Sequence, residues 1–292
     1  MGTQAAQKSE RYFVPQPSAW PFVLTASLIA LLGGVSAYLE EDHIGPIPIY
    51  AGLAVAIYII FRWFRGVALE SEGGMYSAQV GRTYRWGMSW FIFSEVMFFG
   101  AFFGALFYAR ELSLPWLGGE GSKIATNLTL WPGFEAHWPS NGPAQLGGAF
   151  KTIPAFSVPA INTAILLTSG VTITMAHHAL KASKRGACIL WMWATVALGC
   201  AFLYLQAHEY IEAYTELNLT LRSGIYGSTF FMLTGFHGMH VTLGTIMLIS
   251  ITLRLMSGHF KPDSHFGFEG VAWYWHFVDV VWLGLFVVVY WL

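Results

Sequence analysis

The chain has 292 residues and a formal net charge of −1; only 11% of its residues are charged, whereas 55% are hydrophobic and 17% aromatic. Soluble proteins carry roughly 25% charged residues, so this composition excludes a free soluble domain and a disordered chain. No basic block is present in the sequence, which excludes nucleic acid as a partner. The sequence therefore predicts a multi-pass membrane protein.

Seven segments are long and apolar enough to cross a bilayer, whose hydrocarbon core requires about 20 residues of helix. Charged breaks such as Glu40–Asp42 and Lys261–Asp263 separate them. The fold class is therefore an all-α membrane protein with seven transmembrane helices. The predicted spans are Ser18–Leu39, Ile47–Val67, Tyr84–Ala109, Ser157–Leu180, Cys188–Ile211, Gly224–Leu255 and Val271–Leu292.

Lys and Arg indicate the orientation, because cytoplasmic loops are enriched in both residues. Most of them fall on one side of the membrane if the N-terminus is inside, and we predict that orientation. Trp116, Trp131 and Trp138 lie in a long outer loop, which we expect to be an ordered lid at the membrane interface. The predicted parts are an N-terminal cytoplasmic segment (1–17), a two-helix bundle (18–67), a cytoplasmic loop (68–83) and a five-helix bundle (84–292) with the outer loop at 110–156.

Glu95 is the most unusual residue of the third span, since it lies about 15 Å along the helix with no basic residue within one turn. Ionisable residues inside a membrane are costly and face protein. We predict a carboxyl that is mainly protonated at pH 7. Two interpretations remain open: a proton-carrying or carboxyl-reactive site, and a neutral carboxyl that hydrogen-bonds Ser94 or a backbone carbonyl and serves packing.

Other polar residues lie in or beside the spans, and histidine among them raises the question of a metal or haem site. No facing pair at one depth is evident, and the histidines adjoin hydrogen-bonding groups. We expect polar ties between helices, with proton handling as the alternative, and we predict no metal ligand and no catalytic residue. These polar intramembrane residues are His177, His178, His208, Glu209, His237, His240, His276 and Asp279.

Five blocks of the sequence closely resemble cytochrome c oxidase subunit III, and they occur in that family's order. The first block contains Phe93-Ser94-Glu95-Val96-Met97, and the last runs from His265 to Trp282. The blocks cover residues 92–99, 162–178, 205–213, 227–241 and 265–282.

The resemblance implies a core subunit of the proton-pumping haem-copper oxidase that transfers electrons from cytochrome c to oxygen. The chain would be part of that enzyme without a catalytic centre or redox cofactor of its own, because haem and copper lie in partner subunits. It would pack directly on subunit I, with subunit II in the same complex, support proton uptake and stabilise subunit I during turnover. Two helices and five helices would form a V-shaped cleft that binds phospholipid, and Glu95 would match the family's carbodiimide-reactive carboxyl.

The end of the second span departs from the family pattern. Leu69 stands where many members have Arg, and the histidines common near Met75 are missing. Phospholipid binding is therefore expected through Trp63, Arg65 and Glu70. The loop before Pro154 is longer than that of the mitochondrial subunits, which indicates a bacterial protein. We therefore expect the chain in a bacterial cytoplasmic (inner) membrane.

Two other functions remain as alternatives. A proton-coupled transporter would use Glu95 and the histidines, although no broken pair of helices and no inverted repeat is evident. The related subunit of a quinol oxidase or nitric oxide reductase is the second alternative. Those relatives usually lack the first two spans, which this chain retains.

Overall fold

The computed structural model describes residues 13–292, and most of these residues are helical. The first twelve residues of the predicted cytoplasmic segment lie outside this described part. Seven helices are long and apolar enough to cross a membrane, which confirms the predicted fold class. The helices are α1 (Trp20–Leu39), α2 (Pro46–Glu72), α3 (Ala78–Tyr108), α4 (Leu114–Leu117), α5 (Ile124–Leu130), α6 (Val158–Lys181), α7 (Arg185–Thr215), α8 (Gly224–Met256) and α9 (Phe266–Leu285).

Several helices extend beyond the predicted spans. α2 continues to Glu72 instead of Val67, and α3 begins at Ala78 instead of Tyr84. Hydropathy falls at the charged residues of these ends, but the backbone hydrogen bonds of a helix do not depend on side-chain polarity. Residues with long charged side chains can continue a helix at these ends, because such side chains extend towards the membrane interface.

The predicted outer loop also begins later than expected. α3 continues through a π-helical turn, Ala109–Ser113, into α4, so the helix ends at Leu117 and not before Arg110. Arg110 forms an ion pair with Glu111 at 3.2 Å. The charges that suggested the end of the span therefore lie within the helical continuation.

The described residues 13–84 and 85–292 form two compact units, with the division inside α3. In the first unit, α1 and α2 approach closely through glycines. A methyl group added at Gly52 would lie 2.6 Å from the carbonyl oxygen of Ser27, and one added at Gly34 would lie 2.8 Å from the backbone nitrogen of Ile49. Small residues permit such backbone contact between membrane helices.

The core of the second unit forms around two tryptophans of α9. Trp275 and Trp282 are fully buried, and their indole nitrogens donate hydrogen bonds to Ser169 (2.8 Å) and Thr163 (2.9 Å) of α6. A methyl group added at Gly244 of α8 would lie 2.9 Å from the Trp275 ring. α9 is therefore held among its neighbours by both packing and hydrogen bonds.

The outer loop is anchored to the segment between α7 and α8. The Asn218 side chain donates to the carbonyl oxygens of Gly147 (3.0 Å) and Ala149 (2.9 Å). Phe150 stacks on Tyr226 with ring centroids 5.4 Å apart. These contacts give the loop a defined position on the second unit.

Candidate functional site

Glu95 of α3 pairs with His240 of α8 inside the second unit. The Glu95 Oε2 atom lies 3.0 Å from His240 Nε2, and the two side chains are 21% and 7% exposed. Ser94 does not bind this carboxyl, because its hydroxyl donates to the carbonyl oxygen of Phe91 at 2.6 Å. The carboxyl thus has a basic partner that is remote in the sequence.

The hydrogen bonds of His240 restrict where protons can lie. Its Nδ1 atom is 2.6 Å from the carbonyl oxygen of Phe236, and a carbonyl can only accept, so Nδ1 carries a proton. The Nε2–Glu95 contact then requires one further proton, held either by the carboxyl or by the imidazole. The pair therefore shares a single proton and remains neutral overall.

Aromatic rings surround this pair. The rings of Phe99 and Tyr274 lie 5.1 and 6.2 Å from the His240 ring, and Phe99 is almost completely buried. Such apolar surroundings disfavour separated charges, which explains why the two groups lie together.

His237 lies one turn before His240 but contacts a different element. It is fully buried, and its Nε2–H donates to the backbone carbonyl of Val278 at 3.2 Å. Among the described residues, its Nδ1 atom has no hydrogen-bond partner. His237 thereby connects α8 to α9, while His240 connects α8 to α3.

Glu209 and His208 are neighbours in the sequence but differ in exposure. His208 is exposed, whereas Glu209 is buried. The Glu209 Oε1 atom accepts hydrogen bonds from Tyr290 (2.6 Å) and, more weakly, from Gln206 (3.4 Å). Within the part of the chain that is described, Oε2 of Glu209 has no partner.

His276 and Asp279 lie together beside α6. His276 Nδ1 is 3.8 Å from Asp279 Oδ2, and its Nε2 is 3.3 Å from the hydroxyl of Thr174. A methyl group added at Gly170 would lie 2.6 Å from Asp279 Oδ2. Glycine at this position therefore leaves the space that the buried carboxyl occupies.

His177 and His178 point to different surroundings. His178 is exposed, whereas His177 is half-buried and its Nε2 atom lies 3.2 Å from Nε2 of His265. Glu269, one turn after His265, forms an ion pair with Arg85 at 2.7 Å. Sequence reasoning missed this cluster. The i, i+4 spacing of His265 and Glu269 was its signal in the sequence, and Arg85 is 184 positions from Glu269.

The three residues predicted to bind phospholipid lie towards the end of α2. Trp63 and Arg65 are exposed, whereas Glu70 is half-buried and accepts a hydrogen bond from the Tyr76 hydroxyl at 2.7 Å. Burial, together with hydrogen bonds that include the one to Glu70, raises the pKa of Tyr76 well above its usual value. Trp63 and Glu70 are seven residues apart, so they share a helix face.

Comparison with known proteins identifies the family. The sequence profile described as "Cytochrome c oxidase subunit III" matches residues 10–292. The chain belongs to this family. It is similar to "Cytochrome c oxidase subunit 3" of Pongo abelii (40% identical over 287 residues, 98% of each chain). The same named subunit of Hippopotamus amphibius is 39% identical over 285 residues, which cover 97% of this chain and 98% of the relative.

Family membership and the seven apolar helices together establish an integral membrane protein of an oxidase complex. Because members of this family are subunits of cytochrome c oxidase, the complex contains other subunits as well. The relatives named above come from animals.

Proposed function

We propose that this chain is a non-redox core subunit of a proton-pumping cytochrome c oxidase, located in a bacterial cytoplasmic membrane. It packs directly on subunit I, with subunit II in the same complex, and it binds no haem or copper itself. The bacterial location rests on the length of the outer loop. The family profile and the names of the relatives favour this function over a transporter or a quinol oxidase subunit.

The pair formed by Glu95 and His240 is the observation that carries the proposal. A neutral pair that shares one proton can release that proton to a neighbouring group and then take up another, and it carries a net charge only between the two transfers. The Glu95 carboxyl is partly exposed at the edge of the second unit, so exchange with a neighbouring group is geometrically open. This arrangement supports a role in proton supply to subunit I.

One face of α3 is suited to contact with a neighbour in the membrane. Trp90, Phe93 and Met97 are exposed on it, and methyl groups added at Gly100 and Gly104 would meet nothing within 4 Å. The spacing of these five residues places them along one stripe. Exposed aromatics beside open glycines support close contact with another subunit or with lipid chains.

Phospholipid binding rests on the end of α2. An exposed tryptophan and an exposed arginine near a helix end are typical of the membrane interface, and Arg65 offers a guanidinium to a headgroup phosphate. Glu70 is held by Tyr76, so it orients the helix end instead of meeting the lipid as a free acid. Native mass measurement of the intact complex should find retained phospholipid. The Arg65→Gln variant should retain less phospholipid than the parent complex.

Purification decides between the oxidase and a transporter. The tagged chain, extracted in a mild detergent, should bring with it subunits that show haem absorption. A chain that elutes alone and moves a solute into liposomes would overturn the proposal.

Reconstituted oxidase tests the role of the shared proton. Glu95→Gln and His240→Gln should each lower the number of protons pumped per electron severalfold and shorten the active lifetime, because either change breaks the contact through which the two side chains share a proton. Glu111→Gln, an exposed carboxyl beyond the end of α3, is the matched control. Unchanged pumping in both variants of the pair would leave the contact as a structural tie only.

A further inference from the structure

We propose that His177, His265 and Glu269 form a binding site for Zn²⁺ or a similar transition-metal cation. One donor atom from each residue lies within 4.8 Å of the other two. The three residues come from the end of α6 and from the start of α9, so the fold and not the sequence brings them together. This inference is independent of the role proposed for Glu95.

The distances between the donor atoms fit a tetrahedral metal. Two ligand atoms that are each about 2.0–2.1 Å from a tetrahedral zinc lie about 3.3–3.4 Å apart. Nε2 of His177 and Nε2 of His265 are 3.2 Å apart, and Nε2 of His265 is 3.5 Å from Oε1 of Glu269. Two of the three separations therefore match a tetrahedral ion, and the third, between His177 and Glu269, is within 4.8 Å.

The protonation pattern points to a cation at the centre. Nδ1 of His265 faces the carbonyl oxygen of Lys261 at 3.1 Å, so Nδ1 carries a proton, and in the singly protonated tautomer Nε2 presents a lone pair. That lone pair meets a second imidazole nitrogen and a carboxylate oxygen. One proton can satisfy only one of these contacts, whereas a metal ion can bind all three donors.

Outer contacts already orient two of the three ligands. The Nδ1–H bond to Lys261 fixes the ring of His265, as a backbone carbonyl commonly does for a metal-bound histidine. Arg85 donates to Oε2 of Glu269 from Nη2 (2.7 Å) and Nε (2.9 Å), which orients the carboxylate and leaves Oε1 for the metal. The site is therefore preorganised.

The donor set selects the class of ion. Two imidazoles and one carboxylate suit zinc and its neighbours, whereas Mg²⁺ and Ca²⁺ prefer oxygen ligands alone. Three protein ligands leave one position for water, and His177 is only half-buried. The charges of Arg85 and of Lys181, one turn after His177, weaken cation binding. We therefore expect a reversible site that exchanges with solution.

Equilibrium dialysis of the full chain, purified in detergent with the subunits that accompany it, tests the proposal. Zinc bound per chain is measured for the parent protein and for His177→Gln, His265→Gln and the matched control His178→Gln. The two ligand variants should lose one zinc per chain, with affinity lowered at least about 100-fold, since loss of an outer contact alone costs about 10- to 100-fold. His178→Gln should bind as the parent does.

X-ray absorption at the zinc edge provides a second measurement on the parent protein. Difference spectra against His177→Gln should show imidazole scattering and a first shell of nitrogen and oxygen. Cd²⁺ should compete for the site, whereas millimolar Mg²⁺ should not. Equal zinc in the parent and both ligand variants, or a difference spectrum without imidazole, would overturn the proposal. Zinc is counted per chain, so this result does not depend on whether an oxidase copurifies.

Discussion

The two units of the molecule are stabilised in different ways. In the first unit, α1 and α2 bury few side chains, and Gly34, Gly45 and Gly52 bring their backbones into contact. In the second unit, half of the residues in an apolar stretch of the last spanning helix are buried, and Trp275 and Trp282 are completely buried. One sequence therefore contains both a glycine-based helix pair and an aromatic core with hydrogen bonds.

This difference shows where polar chemistry can reside. Among the described residues of the helix pair in glycine contact, the buried polar side chain is the small one of Ser27. The second unit packs α6, α7, α8 and α9 around one core, and it encloses Glu209, His237 and Asp279, which are all buried. The candidate site accordingly lies among α3, α6, α8 and α9.

Truncation of Trp275 should produce the largest effect and break the core of the second unit. Trp275→Ala removes a fully buried ring and its hydrogen bond to Ser169, which should lower the free energy of unfolding by about 3–5 kcal/mol. Titration with sodium dodecyl sulfate in mixed micelles measures this energy. Trp273→Ala, an exposed position on the same helix, should change it little. Equal losses in the two variants would contradict the central role of Trp275.

A methyl group at Gly52 should weaken the first unit by an intermediate amount. Gly52→Ala places Cβ 2.6 Å from a backbone oxygen, so the helices must separate, at a cost of about 1–3 kcal/mol. Gly66→Ala on the same helix meets nothing within 4 Å and should stabilise α2 slightly, since alanine favours helix by about 1 kcal/mol over glycine. Proteolysis between α1 and α2 compares the variants; equal cleavage rates would argue against glycine contact.

Loss of the Tyr76 hydroxyl should give the smallest effect. Tyr76→Phe removes the hydrogen bond to Glu70, worth about 1 kcal/mol, and should speed proteolysis of residues 73–77 at pH 8. The pKa of Tyr76 is raised in the folded protein. The contribution of this side chain to the free energy of unfolding is therefore complete below the unfolded-state pKa of about 10, and it is lost as the pH rises above that value.

The variant Tyr76→Phe should therefore lack part of the alkaline loss of stability that the parent protein shows. Tyr50→Phe, at an exposed position of α2, is the control and should follow the parent at every pH. A Tyr76→Phe profile that matches the parent from pH 8 to 11 would exclude a contribution from this hydroxyl.

Hydropathy alone predicted the number of spans, because the hydrocarbon core imposes a minimum length on each apolar helix. It predicted the ends poorly where charged residues such as Glu70 and Glu72 continue a helix beyond the apolar stretch. It also marked Glu95 as an acid within the third span. It could not supply the partner, because His240 is 145 positions away.

Composition and sequence motifs thus determined the class of protein, its seven helices and its family. Tertiary structure alone decided which polar groups meet: Glu95 with His240, His177 with His265, and Arg85 with Glu269. The physical reason is that helix insertion and hydrogen bonding depend on different parts of the chain. Transfer of a helix into lipid depends on local composition, whereas a hydrogen bond depends on atoms within about 3 Å, which only the packing of helices brings together.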